Sequence, residues 1–194
     1  MIIKRKDWNN YLNKDILIEK FGKSQSNGTF TLGYMVADLG QYYIFQIIDD
    51  NGTLLVYTLC KKTNIERLEC EDNYTKMFDF YIAYQKKHNN FDPLNLEKIY
   101  QEMPKQSINA ILKYCYDNGF YVSITDEKSD LYKTGRVVSV DEQKVMIDEE
   151  SYCKDYEFDT TDEISKEPTN INDILTLEFV AQDNYLYEQY LKQK

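Results

Sequence analysis

Nine acidic side chains crowd into twenty residues of the C-terminal half: Asp148, Glu149, Glu150, Asp155, Glu157, Asp159, Asp162, Glu163 and Glu167, faced only by Lys154 and Lys166. Carboxylates at this density offer acid–base catalysis, coordination of a hard cation, or attraction of a basic partner. An EF-hand calcium loop needs a central glycine and a glutamate at its twelfth position, and this stretch has neither. Adjacent acids such as Asp49-Asp50 and Glu149-Glu150 read more simply as solvated turn residues than as a catalytic pair. The third use is the one expected here, because opposed charge speeds association and discriminates between partners. Candidate contact residues are Asp148, Glu149, Glu150, Asp155, Glu157, Asp159, Asp162 and Glu163, with a basic protein as the partner.

Other chemistries lack their residues. The lone histidine, His88, lies in the polar run Gln-Lys-Lys-His-Asn-Asn, and no Gly-x-Ser-x-Gly elbow accompanies it. The seven glycines never form a phosphate-cradling loop. Cysteines at 60, 70, 115 and 153 show no Cys-x-x-Cys spacing, so reduced thiols are expected and a zinc site is not. No enzyme, cofactor or metal is therefore expected. With 33 acidic against 23 basic residues in 194, the net charge of −10 repels phosphate backbones and makes nucleic acid an unlikely partner. No apolar run approaches the roughly 18 residues of a membrane span. The amino terminus, Met-Ile-Ile-Lys-Arg-Lys-Asp-Trp, lacks signal-peptide character, so the expected location is cytoplasmic, with no membrane partner. Whether the protein is a monomer or a homo-oligomer is left open by the sequence.

The elements that must carry such a surface begin with five strand-like runs in the first 70 residues, around Ile16-Leu17-Ile18 and over 29–38, 42–48, 53–59 and 65–70. Asp50-Asn51-Gly52 supplies the positive-φ residues of a tight hairpin. The period then changes: Met77, Phe78, Tyr81, Ile82 and Tyr84 recur at helical spacing and predict an amphipathic helix ending near 86–90. Asp92 before Pro93 predicts the start of a second helix, closed by Pro104, and Ser107 a third that Asn118-Gly119 terminates.

The chain also resembles itself. Gly33-Tyr34-Met35-Val36-Ala37 lies on Gly135-Arg136-Val137-Val138-Ser139 without a gap, and the same offset pairs Ile44 with Met146 and Phe45 with Ile147. A second ungapped block pairs Ile65 with Ile174, Leu68 with Leu177, Glu69 with Glu178, Met77 with Leu186 and Tyr81 with Tyr190. The blocks stand seven residues further apart in the second copy, which places the extra residues in the acidic stretch. Glycines at matching places in two long strands suit a sharp bend or a close strand approach.

The expected fold class is α+β and mostly β: two small five-stranded barrel units, each followed by a helix, joined by a helical connector. The boundaries are 1–90, 91–118 and 119–194, with an acidic insertion at about 148–172. The expected core is Leu32, Val36, Ile44, Ile47, Val56, Ile65, Leu68, Phe78, Ile82, Val122, Val138, Ile147, Ile174, Leu177 and Leu191. The Gly-Tyr/Arg-x-Val strand, its Ile-rich partner, the Asp49-x-x-Gly52 turn and the closing Ile-x-x-Leu-Glu strand together resemble small bacterial proteins, themselves uncharacterised, that carry tandem Sm-like (SH3-like) barrel repeats. The resemblance spans 15–70 and, more loosely, 120–180. It implies a fold and not an activity, since Arg67 is followed by Leu68 where RNA-binding Sm proteins place Arg-Gly. The function expected is a non-enzymatic protein-binding module, of the immunity, antitoxin or inhibitor kind. The alternative is an Sm-like nucleic-acid-binding module using exposed rings such as Tyr42, Tyr43 or Tyr57.

Overall fold

A computed structural model describes residues 1–14, 17–21, 30–70, 73–149, 152 and 167–194. Ile16, the turn at 23–28 and residues 150–151 and 153–166 of the acidic stretch lie outside the described residues. The chain is α+β and divides into two compact units, Met1–Gln101 and Glu102–Lys194. The division falls within the 91–118 stretch assigned above to a connector.

In the first unit the strands are β1 (Ile2–Ile3), β2 (Leu17–Phe21), β3 (Phe30–Leu39), β4 (Tyr42–Ile48), β5 (Leu54–Lys61) and β6 (Ile65–Glu69), followed by α1 (Asn73–Lys87) and α2 (Leu96–Glu102). The hairpin between β4 and β5 is made by Asp49, whose carboxylate accepts hydrogen bonds from the N–H groups of Asn51 (2.9 Å) and Thr53 (2.8 Å). Gly52 sits there at φ 78°, and a Cβ on it would meet the Tyr81 Cβ of α1 at 2.7 Å. Turn and helix therefore pack directly, and only glycine satisfies both. Asp92 does cap a helix, accepting from the N–H groups of Leu96 and Glu97 (both 2.8 Å). That helix begins at Leu96, three residues after Pro93, because Asn95 takes a left-handed conformation (φ 57°) between them.

In the second unit α3 (Ile108–Asn118) precedes β7 (Tyr121–Asp126), β8 (Ser129–Val140), β9 (Lys144–Asp148), β10 (Thr169–Asn170) and β11 (Ile174–Ala181), and α4 (Gln182–Leu191) trails. The Ser107 hydroxyl caps α3 through the Ala110 N–H (3.1 Å), and Gly119 ends it in the left-handed region.

Within the first unit the strand order is β1-β6-β2-β3-β4-β5, and within the second it is β11-β7-β8-β9-β10. The five strands β2 to β6 and the five strands β7 to β11 thus follow one antiparallel meander in which the last strand returns beside the first. The match extends to register. Leu17 pairs with Gly33 and Val122 with Gly135; Ile18 pairs with Glu69 and Ser123 with Glu178. Both glycines are forced by backbone. A Cβ on Gly33 would lie 2.2 Å from the Gln46 carbonyl oxygen, and one on Gly135 would lie 2.1 Å from that of Asp148. Three residues past each glycine the ladder slips, between Met35 and Ala37 in β3 and between Val137 and Ser139 in β8.

The two sheets are open, which corrects the expectation of closed barrels. In the first, β1 covers the outer flank of β6 through Ile2–Glu69 and Ile3–Leu68, so β6 has no edge left for β5. In the second, β10 spans two residues paired only to Val145 and Lys144, too short to return to β11. Twelve of the fifteen expected core residues are buried. Val36 and Leu191 are half-buried and Val138 is 39% exposed; Val36 and Val138 are the extra residues of the two slips, which turn a bulged side chain away from its expected face, whereas Leu191 is the last residue of α4.

Candidate functional site

Two of the eight acids expected to form a contact surface are described, and neither is fully exposed. Asp148 ends β9, half-buried and opposite Arg136 in register, while Glu149 is 8% exposed. Glu150, Asp155, Glu157, Asp159, Asp162 and Glu163 lie outside the described residues.

Glu149 belongs instead to a buried ionic cluster that sequence reading missed. Lys133 projects from β8 on the same face as Gly135 and Val137, and its ammonium meets Asp126 Oδ2 at 3.0 Å and the Thr169 hydroxyl at 3.2 Å. Asp126 is 4% exposed, and its Oδ1 accepts from the Lys128 N–H at 2.8 Å. Burial pushes the Glu149 carboxyl above its ordinary value, and the charge of Lys133 pulls it part of the way back. One lysine thus balances two buried acids, with β7, β8 and the start of β10 each supplying a member.

A second polar group gathers where β7, β11 and α4 meet. Thr134 donates to the Ser123 hydroxyl (3.0 Å), Asn184 reaches the same oxygen and the Tyr121 carbonyl (3.4 Å each), and the Thr125 and Thr176 hydroxyls bond at 2.6 Å. Glu178 stands among them. Burial pushes its carboxyl up to about 7, Asp183 adds repulsion, and hydrogen bonds to Ser123 and Tyr132 act the other way. Glu188 of α4 is likewise raised by burial; it accepts the Tyr121 N–H (2.9 Å) and feels the positive charges of Lys192 and Arg136. Beside it lies an open groove of about 820 Å³ between the end of α3, β8 and α4, bounded by Tyr116, Phe120, Arg136, Val138 and Lys192. Burial thus favours the protonated form of Glu178 more than in an ordinary carboxylate, while the Lys133 cluster sets one ammonium against two buried acids. Among the described residues no group of three His, Cys, Asp or Glu is placed to hold a metal ion.

The rings considered for nucleic acid are not available for stacking by bases. Tyr42, Tyr43 and Tyr57 are 5%, 4% and 1% exposed; Tyr57 stacks on Tyr100 at 3.9 Å and takes a hydrogen bond from Gln46 (2.6 Å). Cys60, Cys70 and Cys115 are buried; Cys153 lies outside the described residues. Burial pushes the Cys115 thiol far up, which makes it inert rather than nucleophilic.

The units differ most in charge. Met1–Gln101 holds 13 basic and 13 acidic residues, whereas Glu102–Lys194 holds 10 basic and 20 acidic, so the second unit carries the whole net charge of −10. Fold and charge together define a two-unit α+β protein with one neutral and one strongly acidic half. No family model, no curated protein and no solved structure matches the chain. No helix among the described residues is long and apolar enough to cross a membrane.

Proposed function

We propose that this protein acts by contact with another protein and not by catalysis: a cytoplasmic binding module, of the immunity, antitoxin or inhibitor kind, whose acidic unit engages a basic partner. The observation that carries this reading is the division of charge. The first unit is neutral and the second carries −10; charge concentrated in this way raises association rates with a cationic protein and selects against acidic ones. The two units are read as copies of one Sm/SH3-like meander, opened out; shared strand order, matched glycines and matched ladder slips support that descent. The nucleic-acid reading has less support, since its three candidate rings are buried.

The test is affinity capture with the full chain at about 50 mM and about 500 mM salt, where screening differs several-fold in reach. The comparison protein carries Asp155→Asn, Glu157→Gln, Asp159→Asn, Asp162→Asn and Glu163→Gln. The expected result is a basic protein held at low salt by the wild-type chain and lost at high salt and in the amide variant. Equal recovery by both chains overturns the acidic-surface reading.

A further inference from the structure

The groove between α3, β8 and α4 of the second unit carries two cations that the fold does not use. Arg136 leaves β8 exposed, and its guanidinium stands 5.4 Å from the centre of the Tyr121 ring. The side chain also passes over Gly119, where a Cβ would lie 3.9 Å from Nε. Contact with the ring steadies the group, yet among the described residues no hydrogen-bond acceptor meets its N–H donors. Lys192, just past the end of α4, is exposed as well, and its ammonium forms no ion pair among the described residues. Two acids border the same groove. Asp117 is matched by Lys113 one turn before it, at 3.3 Å. Glu188 accepts the Tyr121 N–H at 2.9 Å and feels both cations without touching either. Two cations against one unmatched acid leave the groove one positive charge in excess, inside a unit that carries −10.

The remaining wall is apolar. Phe120, Val138 and Leu191 line it. The last two are residues that hydrophobic patterning assigns to the core, and the slip between Val137 and Ser139 is what turns Val138 outward. We propose that this groove binds a small organic monocarboxylate with an apolar body, its carboxylate on Arg136 and Lys192 and its hydrocarbon against Phe120, Val138 and Leu191. A planar guanidinium meets a carboxylate through two parallel N–H···O bonds, which fixes the orientation of the ligand. The groove, at about 820 Å³, has the capacity of an ordinary small-molecule site. A monoanion cancels the one excess charge. Any further negative charge on the ligand meets Glu188 and the −10 of the very unit that forms the groove, so polyanions are disfavoured. At the matching place of the first unit stands Tyr34, which makes the site particular to the second copy.

Titration of the full chain with phenylbutanoate, followed by two-dimensional NMR, tests this. At about 50 mM salt the Arg136 Nε–H and Gly119 N–H signals should shift saturably with a Kd of about 0.1–1 mM, as one charge-assisted contact beside an apolar wall supplies. Arg136→Gln should weaken binding at least about tenfold and Lys192→Gln about threefold, with unchanged far-UV circular dichroism because both side chains are exposed. Glu188→Gln keeps an acceptor for the Tyr121 N–H and removes the opposing charge, so binding should tighten about threefold. Phenylbutanamide, the neutral counterpart, should bind at least about tenfold more weakly than the acid. No saturable shift up to about 10 mM phenylbutanoate overturns the proposal. So does an amide that binds as tightly as the acid, an Arg136→Gln chain that binds unimpaired, or inorganic sulfate that competes at equal concentration. A peptide ending in a free phenylalanine carboxylate that binds more than about tenfold tighter than phenylbutanoate would place a chain terminus in the groove, and the proposal falls.

Discussion

The two units use one frame for opposite interiors. At the position that Ile47 fills with hydrocarbon in the first unit, the same offset places Glu149 in the second, and where the first has Thr31 the second has Lys133. Glu69 and Glu178 occupy one site of the meander, each opposite the first strand of its unit. Glu69 pairs with Arg67 on its own strand, whereas Glu178 bonds to the hydroxyls of Ser123 and Tyr132 beside the acid Asp183. Asp38, in the first unit, is drawn up by burial, yet Lys62 at 2.6 Å, the Gly40 N–H and Asn9 together hold it below its ordinary range. The difference shows what the frame itself requires. Strand order, the two tight glycines and the ladder slips are common to both, while the chemistry of the interior is free to change, provided that each buried charge finds a partner.

The ionic cluster is where the comparison breaks most easily. Lys133→Met removes the one cation between Asp126 and Glu149, and is expected to cost about 3–5 kcal/mol, the usual loss when one partner of a buried pair is deleted. Adding Asp126→Asn and Glu149→Ile, the latter copying the first unit, should recover most of that loss in urea unfolding. Failure to recover would mean that the second unit depends on ions for its shape and is not a recharged copy of the first. The shared core is tested by Leu68→Ala against Leu177→Ala, both fully buried at equivalent sites, each expected to cost about 2–5 kcal/mol. Gly33→Ala against Gly135→Ala probes the frame itself. Each new Cβ must push a carbonyl of the neighbouring strand away, for about 1–3 kcal/mol, and the two losses should agree. Trp8, the only tryptophan, lies in the first unit at 2% exposure, so its fluorescence reports that unit while far-UV circular dichroism reports both.

Much of the frame is legible in the sequence because it rests on local signals. Gly52 after Asp49, Ser107 before an apolar period, and Gly119 after it each act over a few residues. The self-similar blocks expose the equivalence of Gly33 with Gly135 and of Glu69 with Glu178. What escapes is set by distance and face. Lys133 meets Asp126 across a hairpin, but Thr169 lies 36 residues further on, and no spacing rule links them. A ladder slip leaves no residue signature of its own, so Val36 and Val138 read as core until the register is known. In α1 the apolar period mixes two stripes: Phe78 and Ile82 point inward while Met77 and Tyr84 point outward, and Phe80, the most exposed ring of the helix, lies outside the inward period. Closure of a barrel was not legible either, since it depends on a two-residue β1 taking the edge of β6 and on the brevity of β10.

The finest distinction between the units is their response to pH. Glu178, Glu149 and Glu188, all in the second unit, are raised by burial, whereas Asp38 in the first is lowered. A carboxyl raised to about 7 from an ordinary 4.5 binds more protons folded than unfolded between those values, so stability falls as pH climbs from about 4.5 to about 7 and then levels off. For Glu178 the effect should be on the order of 1 kcal/mol, because its side chain keeps some contact with water. Glu178→Gln keeps the hydrogen-bonding geometry without the charge, and should gain about that much at pH 8 while changing little at pH 5. The gain should appear as a higher midpoint in urea unfolding followed by far-UV circular dichroism. A variant no more stable than the wild-type chain at pH 8 would show that burial of this carboxyl does not set the pH response of the second copy of the frame.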